Sequence, residues 1–266
     1  MIEAAEQVEV VDAHAGPAEP AGPPAVRVDR LVKRFGRGPV VLDDVSLAVA
    51  PGEFVCLVGA SGCGKSTLLS LLAGLEDATS GSVSVAGTRP ALMFQEPALL
   101  PWLTAGGNVE LALRLRGVPR AQRRAEALDL LRLVRLDGAA RLRPHQLSGG
   151  MRQRVALARS LAQRSPVLLM DEPFAALDAI TRDVLHDELV RVWQEAGVSV
   201  VFVTHNVREA VRLGQRVLLM SSRPGRILRE WEIEITGPRR IESPAVSVLA
   251  AEITEKLRQE IRRHAH

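Results

Sequence analysis

A nine-residue stretch, Gly-Ala-Ser-Gly-Cys-Gly-Lys-Ser-Thr at positions 59–67, constrains this chain more than any other part of it. It fits the pattern of a phosphate-binding loop, in which Gly, four residues, Gly and Lys are followed by Ser or Thr. An apolar run at 53–58 predicts a buried strand before the loop, and a helical pattern at 66–73 follows it. Strand, glycine loop and helix N-terminus together predict a site for the phosphates of a nucleotide.

Each residue of this loop is therefore a candidate for nucleotide binding: Gly59, Ala60, Ser61, Gly62, Cys63, Gly64, Lys65, Ser66 and Thr67. We expect Lys65 to reach the β- and γ-phosphates and the Ser66 hydroxyl to hold Mg²⁺. Cys63 is expected to be exposed when no nucleotide is bound. Its thiol is expected to be somewhat acidified by Lys65 and the helix N-terminus.

Polar side chains also follow three other predicted strands. Asp171 and Glu172 follow the apolar run 167–170, His205 follows 199–203, and Gln95 ends a short strand at 91–94. Open α/β sheets bind ligands beyond the carboxyl ends of their strands. We expect Asp171 to bind Mg²⁺, through a water, and Glu172 to activate the attacking water as general base or orienter.

The other two residues have separate expected roles. His205 is placed to donate a hydrogen bond to the γ-phosphate and so to distinguish ATP from ADP. The amide of Gln95 is a candidate ligand for Mg²⁺ or for the attacking water. Taken alone, Gln95 would be no more than an ordinary polar strand end.

A second helix start in the chain is also suited to an anion. Ser148 can cap a helix that runs through position 160, and Gly149 and Gly150 leave backbone N–H groups open. One nucleotide does not need two such sites. This pattern therefore suggests that Ser148 serves a nucleotide held by another copy of the chain.

Composition limits the partners. The formal net charge of the 266 residues is +3, and the arginines are spread along predicted helices, which favours a solvated surface over a nucleic-acid-binding face. The longest apolar runs fall short of a membrane span, and the N-terminus lacks a signal-peptide pattern, so we expect a cytoplasmic location. Neither Cys56 nor Cys63 has the spacing of a disulfide or a metal site.

In this order, 59–67, Gln95, 147–153, 171–172, Asp178 and His205 resemble the motifs of ATP-binding cassette (ABC) ATPases over about residues 25–235. The resemblance implies an α/β fold, with a P-loop NTPase (RecA-like) core, an antiparallel β subdomain and a helical subdomain. It implies ATP and Mg²⁺ as cofactors, and Phe35 as the aromatic residue that stacks on adenine, since the chain has no Tyr. Lys65 and Glu172 would be catalytic, with Gln95 and His205.

The same resemblance implies a head-to-tail homodimer. Two ATP molecules would lie between the phosphate loop of one chain and the 147–153 stretch of the other, with contacts from Ser148, Gly149, Gly150, Gln153 and Asp178. The expected organisation is a flexible tail at 1–24, an ABC-type ATPase domain at 25–240 with a helical subdomain at about 97–164, and a C-terminal helix at 241–266.

Three further stretches, at 93–102, 172–179 and 222–227, look like the importer ATPases for nitrate, sulfonates and taurine. This likeness implies membrane permeases as partners, a solute-binding protein acting indirectly, and a peripheral place on the cytoplasmic face of the membrane. Gly106 and Gly107, Ala175 and Asn206 depart from the pattern, and the two glycines stand near the expected permease contact. The alternatives are an ABC-type ATPase acting on DNA or ribosomes, and a P-loop small-molecule kinase.

Overall fold

The computed structural model describes residues 10–12, 22–87, 89–235 and 239–263. Their strands are, in chain order, β1 (Val10–Asp12), β2 (Val26–Arg34), β3 (Val40–Val49), β4 (Phe54–Gly59), β5 (Ser80–Val85), β6 (Ala91–Met93), β7 (Val167–Asp171), β8 (Ser199–Val203), β9 (Arg216–Met220) and β10 (Ile227–Glu232). Their α-helices are α1 (Lys65–Leu72), α2 (Ala105–Leu115), α3 (Arg120–Leu133), α4 (Gly149–Leu161), α5 (Ala179–Ala196), α6 (Val207–Leu213) and α7 (Pro244–Arg263). Short 3-10 turns lie at Ala139–Arg141 and Pro144–Gln146.

The chain divides into two compact units, one made of Met1–Ala86 and Ser199–His266 and the other of Gly87–Val198. In the first unit, β4 pairs in parallel with β8 on one side and β9 on the other. β10 continues the sheet antiparallel to β9, and β1 pairs with β10. A separate antiparallel sheet has the order β3-β2-β5.

The core of the first unit lies on the parallel strands. Every residue of β4 and of β8 is buried, as the continuous apolar runs predict for strands covered on both faces. The rings of Phe54 and Phe202 meet with centroids 5.8 Å apart. Each fully buried side chain of this size contributes roughly 1.5–3 kcal/mol to the free energy of unfolding. This packing holds the carboxyl ends of the two strands, where β4 ends at Gly59 and Thr204 and His205 follow β8.

The second unit is mostly helical, with β6 and β7 forming a parallel pair. Helix α2 begins at a Thr104 cap, whose hydroxyl accepts a hydrogen bond from the Gly107 N–H at 3.0 Å. Gly106 lies against the Ala139–Arg141 turn, since a Cβ placed on it would lie 3.1 Å from the Ala140 carbonyl oxygen. The glycine at 106 therefore allows close backbone packing inside this unit.

The N-terminal and C-terminal regions each contribute one element, β1 and α7. Of the tail expected at 1–24, the structure describes 10–12 and 22–24, and Val10–Asp12 forms a strand that the sequence analysis did not predict. Helix α7 docks through its apolar face, with Leu249 and Ile253 buried, whereas Ile261 near its end is exposed. The Trp231 indole N–H also donates to Glu252 Oε1 at 3.0 Å. No helix among the described residues is long and apolar enough to cross a membrane.

Candidate functional site

The phosphate loop connects β4 to α1 in a conformation that depends on two glycines. Gly62 has φ 75° and Gly64 has φ 104°, both in the left-handed region that disfavours other residues. A Cβ on Gly64 would also lie 2.6 Å from Leu42 Cδ2. The turn therefore brings the N-terminus of α1, with its unpaired N–H groups, to the end of a buried strand.

Lys65 is the first residue of α1, and its side chain folds over the loop. The ammonium donates hydrogen bonds to the carbonyl oxygens of Gly59 at 2.9 Å and Ala60 at 3.0 Å. Only 6% of the residue is exposed. A nearly buried ammonium held by loop carbonyls is a fixed positive charge where the phosphates are expected. Ser66, next to it, is exposed and offers its hydroxyl to a ligand.

Cys63 departs from the sequence-based expectation, which was wrong on both exposure and acidity. The residue is 1% exposed, and its Sγ lies 3.8 Å from the Lys65 ammonium. Burial raises the pKa of the Cys63 thiol, and the nearby Lys65 charge offsets this effect only in part. The sulfur fills space beneath Gly59, where a Cβ would lie 2.8 Å from it. Its side chain is therefore a packing group inside the loop.

Phe35 follows β2, and its ring is partly covered by a cation. The residue is 47% exposed, so it is not part of the core. The Lys33 ammonium lies 4.5 Å from the ring centroid and is held by Glu76 Oε2 at 2.8 Å and the Asp77 carbonyl at 2.7 Å. A cation–π contact of this kind orients the ring. Phe35 thus has the exposure that an adenine-stacking residue needs.

The exposed His205 lies in a well-defined segment between β8 and α6. The Thr204 hydroxyl donates to Glu209 and accepts from the Asn206 N–H at 2.9 Å. The Asn206 side chain caps α6 by accepting from the N–H groups of Arg208 and Glu209. These bonds hold the backbone on both sides of His205 and so fix the point from which its imidazole extends.

In the second unit, Ser148 caps α4 as expected. Its hydroxyl is exposed and accepts from the Met151 N–H at 3.2 Å. Gly149 and Gly150 allow α4 to approach α5 closely, because a Cβ on Gly150 would lie 2.7 Å from Thr181 Cγ2. The Met151 N–H is bound by Ser148, so the N–H groups of Gly149 and Gly150 are the candidates for contact with an anion.

Gln95 and Gln153, both expected at the nucleotide, contact each other within this unit through a side chain and a backbone carbonyl. The Gln153 amide donates to the backbone carbonyl of Gln95 at 2.9 Å. Arg159, also on α4, donates to the Pro97 and Ala98 carbonyls, both at 2.7 Å. Gln153 is 3% exposed, so its side chain holds the 95–98 segment, whereas Gln95 itself is exposed. The role of Arg159 was not predictable from the sequence, because a hydrogen bond to a distant carbonyl leaves no sequence pattern.

The carboxylates lie at and beyond the end of β7. Asp171 ends the strand, and Glu172 follows with φ 44°, a left-handed conformation that costs a non-glycine residue roughly 1–2 kcal/mol. Such strain is concentrated at functional positions. Asp178 caps α5 by accepting from the Thr181 N–H at 3.0 Å, and this bond holds the pKa of its carboxyl below the usual range.

A further contact with the phosphate loop comes from the turn between β9 and β10. A Cβ on Gly225 would lie 2.2 Å from the Cys63 carbonyl oxygen, so the two backbones touch. The Gly225 N–H donates to the Val41 carbonyl at 2.8 Å. In the sequence, the stretch at 222–227 is recognisable only by its resemblance to the importer ATPases, and its contact with the loop was not predicted.

Comparisons with known proteins indicate the same family as the sequence motifs do. The ABC transporter family model matches residues 42–175. The taurine import ATP-binding protein TauB of Rhizobium johnstonii is 43% identical over 240 residues, 88% of this chain and 92% of that protein. The nitrate import ATP-binding protein NrtD of Synechocystis is 48% identical over 209 residues, 76% of this chain and 79% of that one. The aliphatic sulfonates import ATP-binding protein SsuB of Bacillus subtilis is 41% identical over 230 residues, 83% of this chain and 89% of that one.

Among solved structures, the ATP-binding cassette MJ0796, a dimer bound to ADP and Pi in a post-hydrolysis state, matches with a TM-score of 0.68 and 34% sequence identity. The match covers 79% of this chain and 99% of that one. This likeness confirms the expected α/β fold with its antiparallel sheet and helical part.

Proposed function

The chain belongs to the ABC transporter ATP-binding family, and on that premise we propose that it powers uptake of nitrate, a sulfonate or taurine through separate membrane permeases. As an import ATP-binding subunit it hydrolyses ATP. The observation that carries the choice of solutes is the identity of 41–48% with TauB, NrtD and SsuB over most of each chain.

At the phosphate loop, the Lys65 ammonium and the N–H groups of residues 60–67 bind the triphosphate. To do so, Lys65 exchanges its bonds with the Gly59 and Ala60 carbonyls for bonds with phosphate oxygens. Phosphate oxygens carry a negative charge that the two carbonyls lack, so the exchange pairs the ammonium with an opposite charge. Phe35 stacks on the adenine with its accessible face.

Hard oxygen donors suit Mg²⁺, which takes few protein ligands and fills its remaining positions with phosphate oxygens and waters. The exposed Ser66 hydroxyl, the carboxylate of Asp171 through a water, and the amide oxygen of Gln95 are such donors. When bound, the ion would neutralise part of the negative charge on the transferred phosphoryl group.

Hydrolysis needs one positioned water and one proton acceptor. Glu172 accepts the proton as the water oxygen bonds to the γ-phosphorus and the bond to the ADP oxygen breaks, which gives ADP and phosphate. His205 donates a hydrogen bond to the γ-phosphate, and Gln95 orients the water. The constrained backbone at Glu172 supports this role, because a general base must be held in a fixed direction.

We propose a head-to-tail homodimer as the working form. The exposed cap residue Ser148, with Gly149 and Gly150, meets the γ-phosphate of ATP bound to the other chain, and Asp178 lies near that boundary. Gln153 acts indirectly, by holding the Gln95 segment through its hydrogen bond to the Gln95 carbonyl. The dimeric state of MJ0796 supports this arrangement at a coarse level.

The permease contact is proposed at the 95–102 segment, which carries the 68% exposed Trp102. The chain would then sit peripherally on the cytoplasmic face of the membrane, while a solute-binding protein on the other side selects the solute. The relatives are import proteins, which does not favour a role on DNA or ribosomes or a small-molecule kinase.

Uptake by cells that lack this chain tests the proposal. We expect the loss of uptake of labelled nitrate, an alkanesulfonate or taurine. Wild-type chain should restore uptake, and Lys65→Ala should not. Unchanged uptake of all three solutes, with ATPase activity intact in the purified chain, would contradict the solute class while leaving the ATPase assignment in place.

A further inference from the structure

The turn between β9 and β10 is a compact, hydrogen-bonded unit. The Ser221 hydroxyl donates to the Pro224 carbonyl at 2.6 Å and accepts from the Arg226 N–H at 2.8 Å. The Ser221 N–H donates to the Arg226 carbonyl at 2.9 Å. Because these bonds close the turn on itself, the direction of the side chain at its tip, Arg223, is restricted.

This turn is attached to the phosphate loop and to β3. Gly225 contacts the Cys63 carbonyl as described above, and its own carbonyl accepts from the Asp43 N–H at 3.0 Å. Arg226 forms an ion pair with the Asp43 carboxylate, with Nε 3.0 Å from Oδ2. The tip of the turn therefore keeps its place relative to the loop.

The guanidinium of Arg223 lies beside Gly62. A Cβ placed on Gly62 would be 3.5 Å from Nη2 of Arg223. A carbon–carbon bond adds about 1.5 Å, so Nη2 is no more than about 5 Å from the Gly62 Cα. Arg223 also has φ 32°, a left-handed conformation that disfavours a long side chain. The fold thus accepts backbone strain at the residue that brings a cation to this loop.

The charge of Arg223 is not matched by a neighbouring carboxylate. Asp43, the acidic residue attached to the turn, is already paired with Arg226. Within the described ranges of the chain, Arg223 forms no ion pair, and its side chain is exposed. An ordinary surface arginine would satisfy these two facts, and the exposed Arg30, Arg135 and Arg164 also have positive φ. The close approach to Gly62 is what distinguishes Arg223.

We infer that Arg223 is a second cationic residue of the phosphate site, which contacts the phosphate oxygens of the bound nucleotide from the side of the loop at Gly62. Lys65 supplies a positive charge at the start of α1, and Arg223 supplies a second positive charge beside Gly62. A guanidinium suits this place because its planar donors match two phosphate oxygens at once. The inference rests on the proposed ATP site and adds a phosphate-selective residue to it.

The test is equilibrium binding of ATP, ADP and AMP to the full chain, with EDTA present so that no hydrolysis occurs. Arg223→Gln should raise the dissociation constant for ATP about tenfold, since charge-assisted contacts are of that size. The effect should shrink from ATP to ADP to AMP as phosphates are removed. The dependence of ATP affinity on salt concentration should also become shallower, because one cation no longer takes part.

Arg258→Gln is the control, because it removes the same charge at an exposed residue of α7, outside the turn, whose pair with Glu255 spans 4.0 Å. We expect it to change ATP affinity by less than about twofold. Arg223→Lys should retain part of the affinity, because it keeps the charge but not the planar fork. Thermal unfolding of each nucleotide-free variant verifies that the turn is intact.

Three outcomes would overturn the inference. They are unchanged ATP affinity in Arg223→Gln, equal losses for ATP and AMP, and an equal loss in Arg258→Gln. Absence of ATP binding by the wild-type chain would be a different result, since it would refute the nucleotide site itself.

Discussion

At the scale of single residues, Glu172 is the proposed general base that accepts the proton of the attacking water. Glu172→Gln keeps the shape of the side chain but cannot accept a proton from water. We expect ATP binding to stay within about twofold of wild type and turnover to fall by at least about 100-fold, the usual contribution of a general base. Phosphate release in single-turnover and steady-state assays measures both quantities.

A suitable control for Glu172→Gln is Glu195→Gln. Glu195 pairs with Arg191 at 2.8 Å on the exposed side of α5, and such a pair contributes only about 0.3–0.5 kcal/mol to stability. Its loss should leave turnover unchanged. A Glu172→Gln chain that hydrolyses ATP at the wild-type rate would show that another group takes the proton.

The two cysteines lead to a prediction about pH and reactivity. Burial raises the pKa of both thiols, that of Cys56 well above its ordinary value. We expect the folded chain to react with a maleimide at least about 100-fold more slowly than the unfolded chain, because the thiolate is the reactive form. Timed labelling with and without denaturant checks this, and rapid labelling of the folded chain that Cys63→Ser removes would contradict it.

The same shifts have a consequence for stability. Because the folded pKa values are raised, the unfolded chain ionises first as pH rises. The contribution of the thiols is therefore complete below the unfolded pKa, about 8.5, and is lost as pH rises toward the folded values.

Residue identity was easier to predict from the sequence than residue environment. Gly62 and Gly64 occupy the left-handed positions that the loop pattern requires. The burial of Cys63 was not predictable, because it depends on where its sulfur lies relative to Gly59 and Lys65. Gln153 belongs to a recognisable motif, yet its contact with the Gln95 carbonyl appears only in three dimensions.

At the scale of elements, the turn between β9 and β10 supports the phosphate loop by backbone contact. Gly225→Ala introduces a Cβ 2.2 Å from the Cys63 carbonyl, so one of the two segments must move. We expect a loss of about 1–3 kcal/mol in the free energy of unfolding, the usual cost of overpacking, together with weaker ATP binding. Denaturant unfolding and equilibrium ATP binding measure these effects.

The control for this glycine is Gly22→Ala, the same change at a position with no atom within 4 Å of the new Cβ. It should leave stability and ATP affinity near those of wild type. Wild-type ATP affinity in Gly225→Ala would mean that the loop does not depend on the turn for its shape.

Elements with strong periodicity were predictable, and those defined by long-range pairing were not. β4 and β8 followed from continuous apolar runs, and α7 lies within the range 241–266 expected for a C-terminal helix. β1 has only three residues and exists through its pairing with β10, so no local signal marks it. The bonds from α4 to the 95–98 segment involve backbone carbonyls, which every residue has.

At the scale of the whole molecule, the proposed permease contact depends on Trp102, which is 68% exposed. A large exposed aromatic side chain is a common anchor at protein interfaces. Trp102→Ala should weaken assembly with the permease by about tenfold or more, and basal ATPase activity should change little. Co-purification with the permease and ATPase assays on the free chain separate these effects.

Leu115→Ala provides a comparison, because Leu115 is 80% exposed at the end of α2, outside the 95–102 segment. It should leave assembly intact. Parallel losses of folding stability and basal activity in Trp102→Ala would instead assign Trp102 a structural role.

The overall fold was predictable because strands alternate with helices on both sides of a helical stretch, which few architectures accommodate. The proposed dimer rests on a count of anion-binding helix starts, α1 and α4, against one lysine-bearing loop, and on the family resemblance. A partner chain leaves this kind of indirect mark on a sequence, whereas the transported solute leaves none on a subunit that does not contact it.

The central claim is that each ATP is bound by the phosphate loop of one chain and the Ser148 region of the other. Differently tagged Lys65→Ala and Ser148→Arg chains should be mixed, the mixed dimers purified, and nucleotide trapping by vanadate measured. With shared sites, one site of the mixed dimer carries both defects and the other carries none. With separate sites, every site carries one defect.

The account predicts trapping in the mixed dimer at about half the wild-type stoichiometry, with little in either mutant homodimer, because one complete site of two remains. Trapping no higher than in the mutant homodimers, with the mixed dimer confirmed by both tags, would contradict the head-to-tail arrangement and the role of Ser148.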